Sequence, residues 1–272
     1  MTDHPGVARP PAAVLFDLYG TLVPGGSRAE RDAVSYDIAA ELGVDAVEFA
    51  DLVRATFDDR VRGVLGDLAA TYRELAARLG GAPGAEAAGR AVERRRCAAQ
   101  GYLESCRVLD VLAAVRAGGV RIGLVTDCSA ETVDAWPAGP IAPLVDEAAF
   151  SCVIGVRKPD PRIYRHVLDR LGLPGDRCVY VGDGGSCELS GAGALGMLPM
   201  LCLEYDDPGT ERPDAEPDWR GLRITRLRDL LPWLAVASAG DDVTPDDGGT
   251  GAARATPGAG DRGGTCTPAD RS

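Results

Sequence analysis

A doubly wound, Rossmann-like parallel α/β sheet with an inserted helical domain is the fold class that this sequence predicts, and three observations predict it. An apolar run, Ala12-Ala13-Val14-Leu15-Phe16, ends abruptly on Asp17. Short apolar runs then alternate with helix-like segments between residues 105 and 238. Between these two parts lies a long stretch rich in Ala, Arg, Glu and Leu. A run bounded by Pro10-Pro11 and Gly20 and apolar at every position suits a strand covered on both faces, as strands of parallel sheets are. Strands that alternate with helices pair in parallel, through right-handed crossovers.

The elements follow in order. After the first strand comes the turn Leu18-Tyr19-Gly20-Thr21-Leu22. Residues 26–104 are expected to form helices broken at Gly43, at Gly63 to Gly66 and at Gly80 to Gly84, because glycine ends helices and permits the turns between them. This segment is the expected helical cap, and residues 12–25 with 105–238 are the expected α/β core. Within the core the pattern predicts a helix over Val108 to Ala117, stopped by Gly118-Gly119, then strands over Val120 to Thr126 and around Ala149 to Val153. A helix opened by Pro159-Asp160-Pro161 reaches Leu171, followed by a strand Cys178 to Gly182, a helix Glu188 to Leu195 and a strand Pro199 to Leu203. A strand over Leu222 to Thr225 and a helix over Leu227 to Ala235 complete the core. Residues 239–272 carry little that is apolar and are expected to be disordered.

The chain has 272 residues, 45% of them hydrophobic, and a formal charge of -12. Such an acidic balance disfavours binding to nucleic acid or to anionic lipid. No apolar segment of signal-peptide or membrane-span length is present, so a cytoplasmic protein is expected. The dense basic cluster Glu93-Arg94-Arg95-Arg96 is expected to be a solvated helix face; Arg28, Arg31, Arg60 and Arg62 could bind an anionic substrate or merely solvate helices, the latter by default. The eight cysteines show no CxxC pair and are expected to be reduced. Oligomeric state is not legible.

Chemistry concentrates at the strand ends: Asp17, Thr126-Asp127, Lys158 and Asp183. In a parallel sheet these carboxyl-terminal tips lie along one edge, so groups far apart in sequence converge there. Asp17 and Asp183 offer hard oxygen ligands for Mg²⁺, Thr126 a hydroxyl for a phosphate oxygen, and Lys158 a compact positive charge. A carboxylate such as Asp17 can act as a nucleophile that splits one displacement into two.

Together these residues resemble the haloacid dehalogenase-like hydrolase superfamily, whose motifs are a strand-end Asp-x-x-x-Thr, a Ser or Thr, a Lys and an acidic Gly-Asp loop. Here they are Asp17 to Thr21, Thr126, Lys158 and Gly182-Asp183, in the same order over about residues 12 to 235, with the cap inserted after the first. The resemblance implies an aspartyl-phosphate route on a small phosphorylated metabolite. Asp17 would be the nucleophile, and Thr21, Thr126, Asp127 and Lys158 would surround the substrate. Mg²⁺ would be held by Asp17, Asp183 and the backbone carbonyl of Tyr19, with Glu188 behind them.

The chain departs from the pattern at Tyr19, where most phosphatases of this superfamily carry a second Asp. The run Asp17-Leu18-Tyr19-Gly20-Thr21-Leu22 looks like the first motif of the 2-haloacid dehalogenases, which attack carbon without a metal. Those enzymes lack the acid that stands here as Asp183, and they carry a Ser-Asn pair where this chain has Thr126-Asp127. A phenol, with a reference pKa near ~10, can donate a proton but is a poor base at neutral pH. The leading expectation is a Mg²⁺-dependent phosphatase. A 2-haloacid dehalogenase and a catalytically weak phosphate-binding or regulatory protein stay open as alternatives.

Overall fold

The computed structural model describes residues 11–206, 212 and 214–234. Among these residues, six strands form one parallel sheet: β1 (Ala13–Phe16), β2 (Arg121–Thr126), β3 (Glu147–Phe150), β4 (Cys178–Gly182), β5 (Leu198–Cys202) and β6 (Leu222–Ile224), in the spatial order β3-β2-β1-β4-β5-β6. The strand order reverses around β1, which pairs with β2 on one side and β4 on the other. All four residues of β1 are buried. Because side chains alternate across a strand, Val14 and Phe16 pack on one face with Leu112, Ile122 and Val181, while Ala13 and Leu15 pack on the other with Tyr164, Val167 and Tyr180. Gly123 on β2 makes the second face possible, since a Cβ there would meet Val167 Cγ1 at 2.6 Å and Leu15 Cγ at 2.9 Å.

The segment inserted after β1 forms five helices: α1 (Arg28–Leu42), α2 (Ala46–Ala55), α3 (Phe57–Val61), α4 (Leu68–Arg78) and α5 (Ala85–Glu104). The glycine clusters fall between helices as expected. Ser27 and Glu30 form a reciprocal capping box at the start of α1, and Asp45 and Asp67 cap α2 and α4, so orphan amide donors at three starts are satisfied by side chains. The insertion has its own apolar centre of Ile38, Leu42, Phe49, Tyr72, Leu75 and Ala91. The core helices are α6 (Leu109–Ala117), α7 (Ala130–Ala135), α8 (Ser151–Ile154), α9 (Pro161–Leu171) and α10 (Glu188–Gly193). All described residues belong to one compact unit within residues 1–237.

Two expectations shift. The strand expected around Ala149 to Val153 is β3, which ends at Phe150, and residues 151–154 turn into α8. Ser151 stops the strand: its Oγ accepts the Cys128 N–H at 2.9 Å and donates back to the Cys128 carbonyl at 3.2 Å, while Val153 is left 67% exposed. The last helix is a 3₁₀ segment, Leu227–Leu234, containing Pro232, which has no N–H to give to a helix ladder. The expected disordered tail, residues 239–272, lies outside the described residues. No helix among the described residues is long and apolar enough to cross a membrane, and the seven described cysteines are free thiols.

Candidate active site

The backbone fixes Asp17 first. Its N–H donates to the Val181 carbonyl of β4 at 2.9 Å, which extends the sheet ladder one residue past β1 and carries the carboxylate to the sheet edge. The following turn closes on Leu18, whose carbonyl accepts the N–H groups of Leu22 at 2.8 Å and Val23 at 3.0 Å. Gly20 sits at φ +89°, and a Cβ at that position would lie 2.3 Å from Asp183 Oδ2. Only glycine lets the first and last motifs approach this closely. Thr21, expected at the substrate, instead donates to Asp17 Oδ2 at 3.3 Å and is fully buried.

Lys158 joins the motifs. Its Nζ donates at 2.6 Å to Asp17 Oδ1 and at 2.6 Å to Glu188 Oε2, and its backbone N–H donates to Asp127 Oδ1 at 2.9 Å. Glu188 is fully engaged: Oε2 also accepts the Tyr180 hydroxyl at 2.8 Å, and Oε1 accepts the Gly184 N–H at 2.9 Å. Asp183 accepts the Gly185 N–H on Oδ1 and the Arg212 Nε on Oδ2, both at 3.0 Å. The loop that brings Glu188 inward is strained, with Ser186 at φ 55° and Cys187 at φ 48°, conformations that non-glycine residues rarely adopt.

Asp17, Asp183 and Glu188 present oxygens within 4.8 Å of one another, all buried. Burial pushes the Asp17 carboxyl up; Lys158 opposes that and the Asp183 charge reinforces it. Glu188 is raised for the same reasons, burial first. Burial also works against the Lys158 ammonium, but Asp17 and Glu188 outweigh it and hold the group protonated. Three carboxylates face two cations here, Lys158 and Arg212, so the cluster carries an excess of hard, anionic oxygen. That donor set fits a hard divalent cation, which takes carboxylate oxygens and offsets the repulsion.

The remaining predicted residues stand around this cluster. Among the described residues the Thr126 hydroxyl, at the tip of β2, is buried without a hydrogen-bond partner. Asp127 Oδ2 is likewise unpartnered, with Arg157 Nη1 at 4.0 Å. Tyr19 engages other side chains of the protein. Its hydroxyl pairs with Thr132 Oγ1 at 2.9 Å, its ring meets Tyr102 edge-on at 6.1 Å, and burial raises its pKa above the ordinary phenol value.

A cavity of about 440 Å³ opens over the cluster, walled by Asp17, Tyr19, Asp127, Lys158 and Asp183 below and by Arg28, Arg31, Arg60, Arg95 and Tyr102 from the inserted helices. Several arginines expected on solvated faces thus turn inward. Arg95 donates through Nε to Glu131 Oε1 at 3.0 Å, and Arg60 through Nη1 to Ser129 Oγ at 3.1 Å. Arg62, by contrast, is surface-exposed and pairs with Asp58 at 2.8 Å. Tyr180, Arg95, Arg157 and Arg212 escaped the sequence reading. Tyr180 and Arg157 adjoin recognised motifs, but for Arg95 and Arg212 the local sequence carries no signal, since their partners lie on other elements.

A strand-tip carboxylate bridged by lysine to an acidic loop, beneath a helical insertion that roofs the cavity, defines a hydrolase of the capped α/β type. The model of the haloacid dehalogenase-like hydrolases matches residues 11–196, and the chain belongs to that family. Among curated proteins it is 31% identical to a glyceraldehyde 3-phosphate phosphatase of Methanopyrus kandleri, over 82% of this chain and 98% of the relative. It is 29% identical to a phosphoglycolate phosphatase of Rhodospirillum rubrum, over 72% of this chain and 80% of that protein. Among solved structures an L-2-haloacid dehalogenase aligns with a TM-score of 0.56 at 23% identity, covering 82% of this chain and 98% of that one, which shows a shared fold.

Proposed function

We propose that the protein is a Mg²⁺-dependent phosphomonoesterase that acts on a small phosphorylated metabolite through an aspartyl-phosphate intermediate. The observation that carries this reading is Asp183, whose carboxylate stands so close to the first motif that glycine is required at position 20. The relatives named for phosphatase activity support it. Asp17 and Asp183, with the Tyr19 carbonyl, would hold Mg²⁺, and Glu188 would back the site. When bound, the cation supplies charge neutralisation to the phosphoryl oxygens.

In this reading Lys158 and Thr126 bind the phosphoryl group, and Lys158 lowers the repulsion that the anionic substrate meets at Asp17. Asp17 attacks phosphorus, the ester P–O bond breaks, and the alkoxide leaves with a proton. Water then cleaves the aspartyl phosphate. The Tyr19 phenol is committed to Thr132. The unpartnered Oδ2 of Asp127 is therefore our candidate for giving and taking the proton. Residues 26–104 act as the cap that excludes water and selects the substrate, over a core of 12–25 and 105–238. The cytoplasmic setting belongs to the same proposal.

Phosphate release from a panel of phosphorylated metabolites, with Mg²⁺ and with chelator, tests it. Wild type is expected to turn over only with the metal, and Asp17→Asn to lose turnover while keeping its unfolding temperature. Turnover retained in Asp17→Asn sinks the nucleophile assignment. Tyr19 favours a second reading, 2-haloacid dehalogenation. Halide release that is indifferent to chelator would establish it, and phosphate-analogue binding without either product would point to a regulatory protein.

A further inference from the structure

Arg60 of α3 makes no hydrogen bond to a carboxylate among the described residues. Its Nη1 and Nη2 donate to neutral acceptors, Ser129 Oγ at 3.1 Å and the Val53 carbonyl at 2.9 Å, and its Nε is buried with no partner among the described residues. Beside it, Arg95 is paired with Glu131, and Ser129 Oγ donates to the same carboxylate oxygen at 2.8 Å. Two guanidiniums therefore share one carboxylate, which leaves a net charge of about +1 in a partly desolvated place where an unpaired charge is costly. Both arginines line the cavity that Asp17 and Lys158 floor. Two other acids of the cavity wall are engaged elsewhere, Asp127 with Arg157 and Asp32 with Arg54, and do not discharge this excess.

We propose that Arg60, supported by Arg95, is a subsite for a carboxylate of the substrate, so that this enzyme acts on phosphorylated carboxylic acids rather than on phosphate esters of neutral sugars or aldehydes. The proposal rests on the phosphatase reading. The phosphoryl group belongs to Lys158 and Asp17 on the floor, so the second anion reaches the arginines on the cap wall. A carboxylate matches the net charge of the cluster, whereas a second phosphate carries nearly twice that at neutral pH. Guanidinium N–H groups also suit the planar carboxylate in geometry.

The test uses the full chain with Mg²⁺ and a pair of esters that differ in one group, phosphoglycolate and 2-hydroxyethyl phosphate, with ethylene glycol bisphosphate as a third arm. Wild type is expected to favour the carboxylate in kcat/KM. Arg60→Gln should cut the ratio of acid over neutral ester by about tenfold or more, chiefly through KM, as expected when one charge-assisted hydrogen bond is lost. Arg60→Lys, which keeps the charge, should fall between the two and guards against a folding defect. Equal loss on both esters, no preference in wild type, or preference for the bisphosphate overturns the subsite. Titration calorimetry of the same ligands on Asp17→Asn, with and without Arg60→Gln, separates the two readings. Binding that discriminates through Arg60 without turnover by wild type overturns the phosphatase and keeps the subsite; turnover without discrimination does the reverse.

Discussion

Tyr19 shows how much a single hydrogen bond decides about a residue's role. Its position in the first motif invites an assignment as acid or base, yet its hydroxyl is paired with Thr132 and its ring is packed against Tyr102. Tyr19→Phe is therefore expected to cost about 1 kcal/mol of stability, the net worth of one hydrogen bond, and to change turnover by less than about threefold, well short of the effect of losing a general acid. Steady-state rates beside a denaturation curve check both. Gly20 carries the opposite lesson, since it has no side chain and still sets the site. Gly20→Ala combines a positive φ with a Cβ aimed at Asp183 Oδ2. It should destabilise the protein by about 1–3 kcal/mol and weaken Mg²⁺ binding, read as a smaller metal-induced rise in unfolding temperature than wild type shows.

The inserted helices and the sheet are fastened by charged pairs between elements. Arg95 of α5 meets Glu131 of α7, and Arg157 reaches Asp58 on α3 at 2.9 Å while its guanidinium lies over the Phe57 ring. Burial alone would raise the Glu131 carboxyl, but Arg95 and Arg60 prevail and lower it to about 2, from an ordinary 4.5. A depressed carboxylate stabilises the fold above its unfolded value and loses that contribution as pH falls through the folded one. Stability should thus decline from about pH 5 towards pH 2 by an amount of order 3 kcal/mol from this group. Glu131→Gln, which leaves Arg95 uncompensated, should cost about 3–5 kcal/mol and flatten that part of the pH profile, as chemical denaturation at several pH values will show. None of this was legible locally. The run Glu93 to Arg96 has the composition of a solvated helix face, and Arg94 and Arg96 do take surface partners, Glu41 and Asp134. That Arg95 turns inward follows from where α7 lies, which no window around residue 95 contains.

At the scale of the molecule, the parallel α/β fold class was readable because apolar runs, glycine breaks and strand-end polar groups are local signals. Asp17, Thr126, Lys158 and Asp183 were singled out for that reason, and β4 has the bounds expected of it. The end of β3, the Tyr19 partner Thr132 and the inward turn of Arg60 and Arg95 were not readable, because each depends on a partner distant in sequence. The acidic cluster leads to a prediction for the whole fold: a cation that binds only the folded site should stabilise it by about 2.7 kcal/mol at a hundredfold excess over Kd. Calorimetry should show this with MgCl₂ for wild type and not for Asp183→Asn. The placement of β1 has a consequence for biosynthesis. Among the described strands it is made first, yet its neighbours are Arg121–Thr126 and Cys178–Gly182, so its two edges stay bare while the whole helical insertion is translated. The insertion has its own apolar centre and can collapse meanwhile, but the strand that ends on Asp17 must wait. A nascent chain stalled before residue 178 would expose an apolar strand with one unpaired edge, a template for aggregation that chaperones must shield.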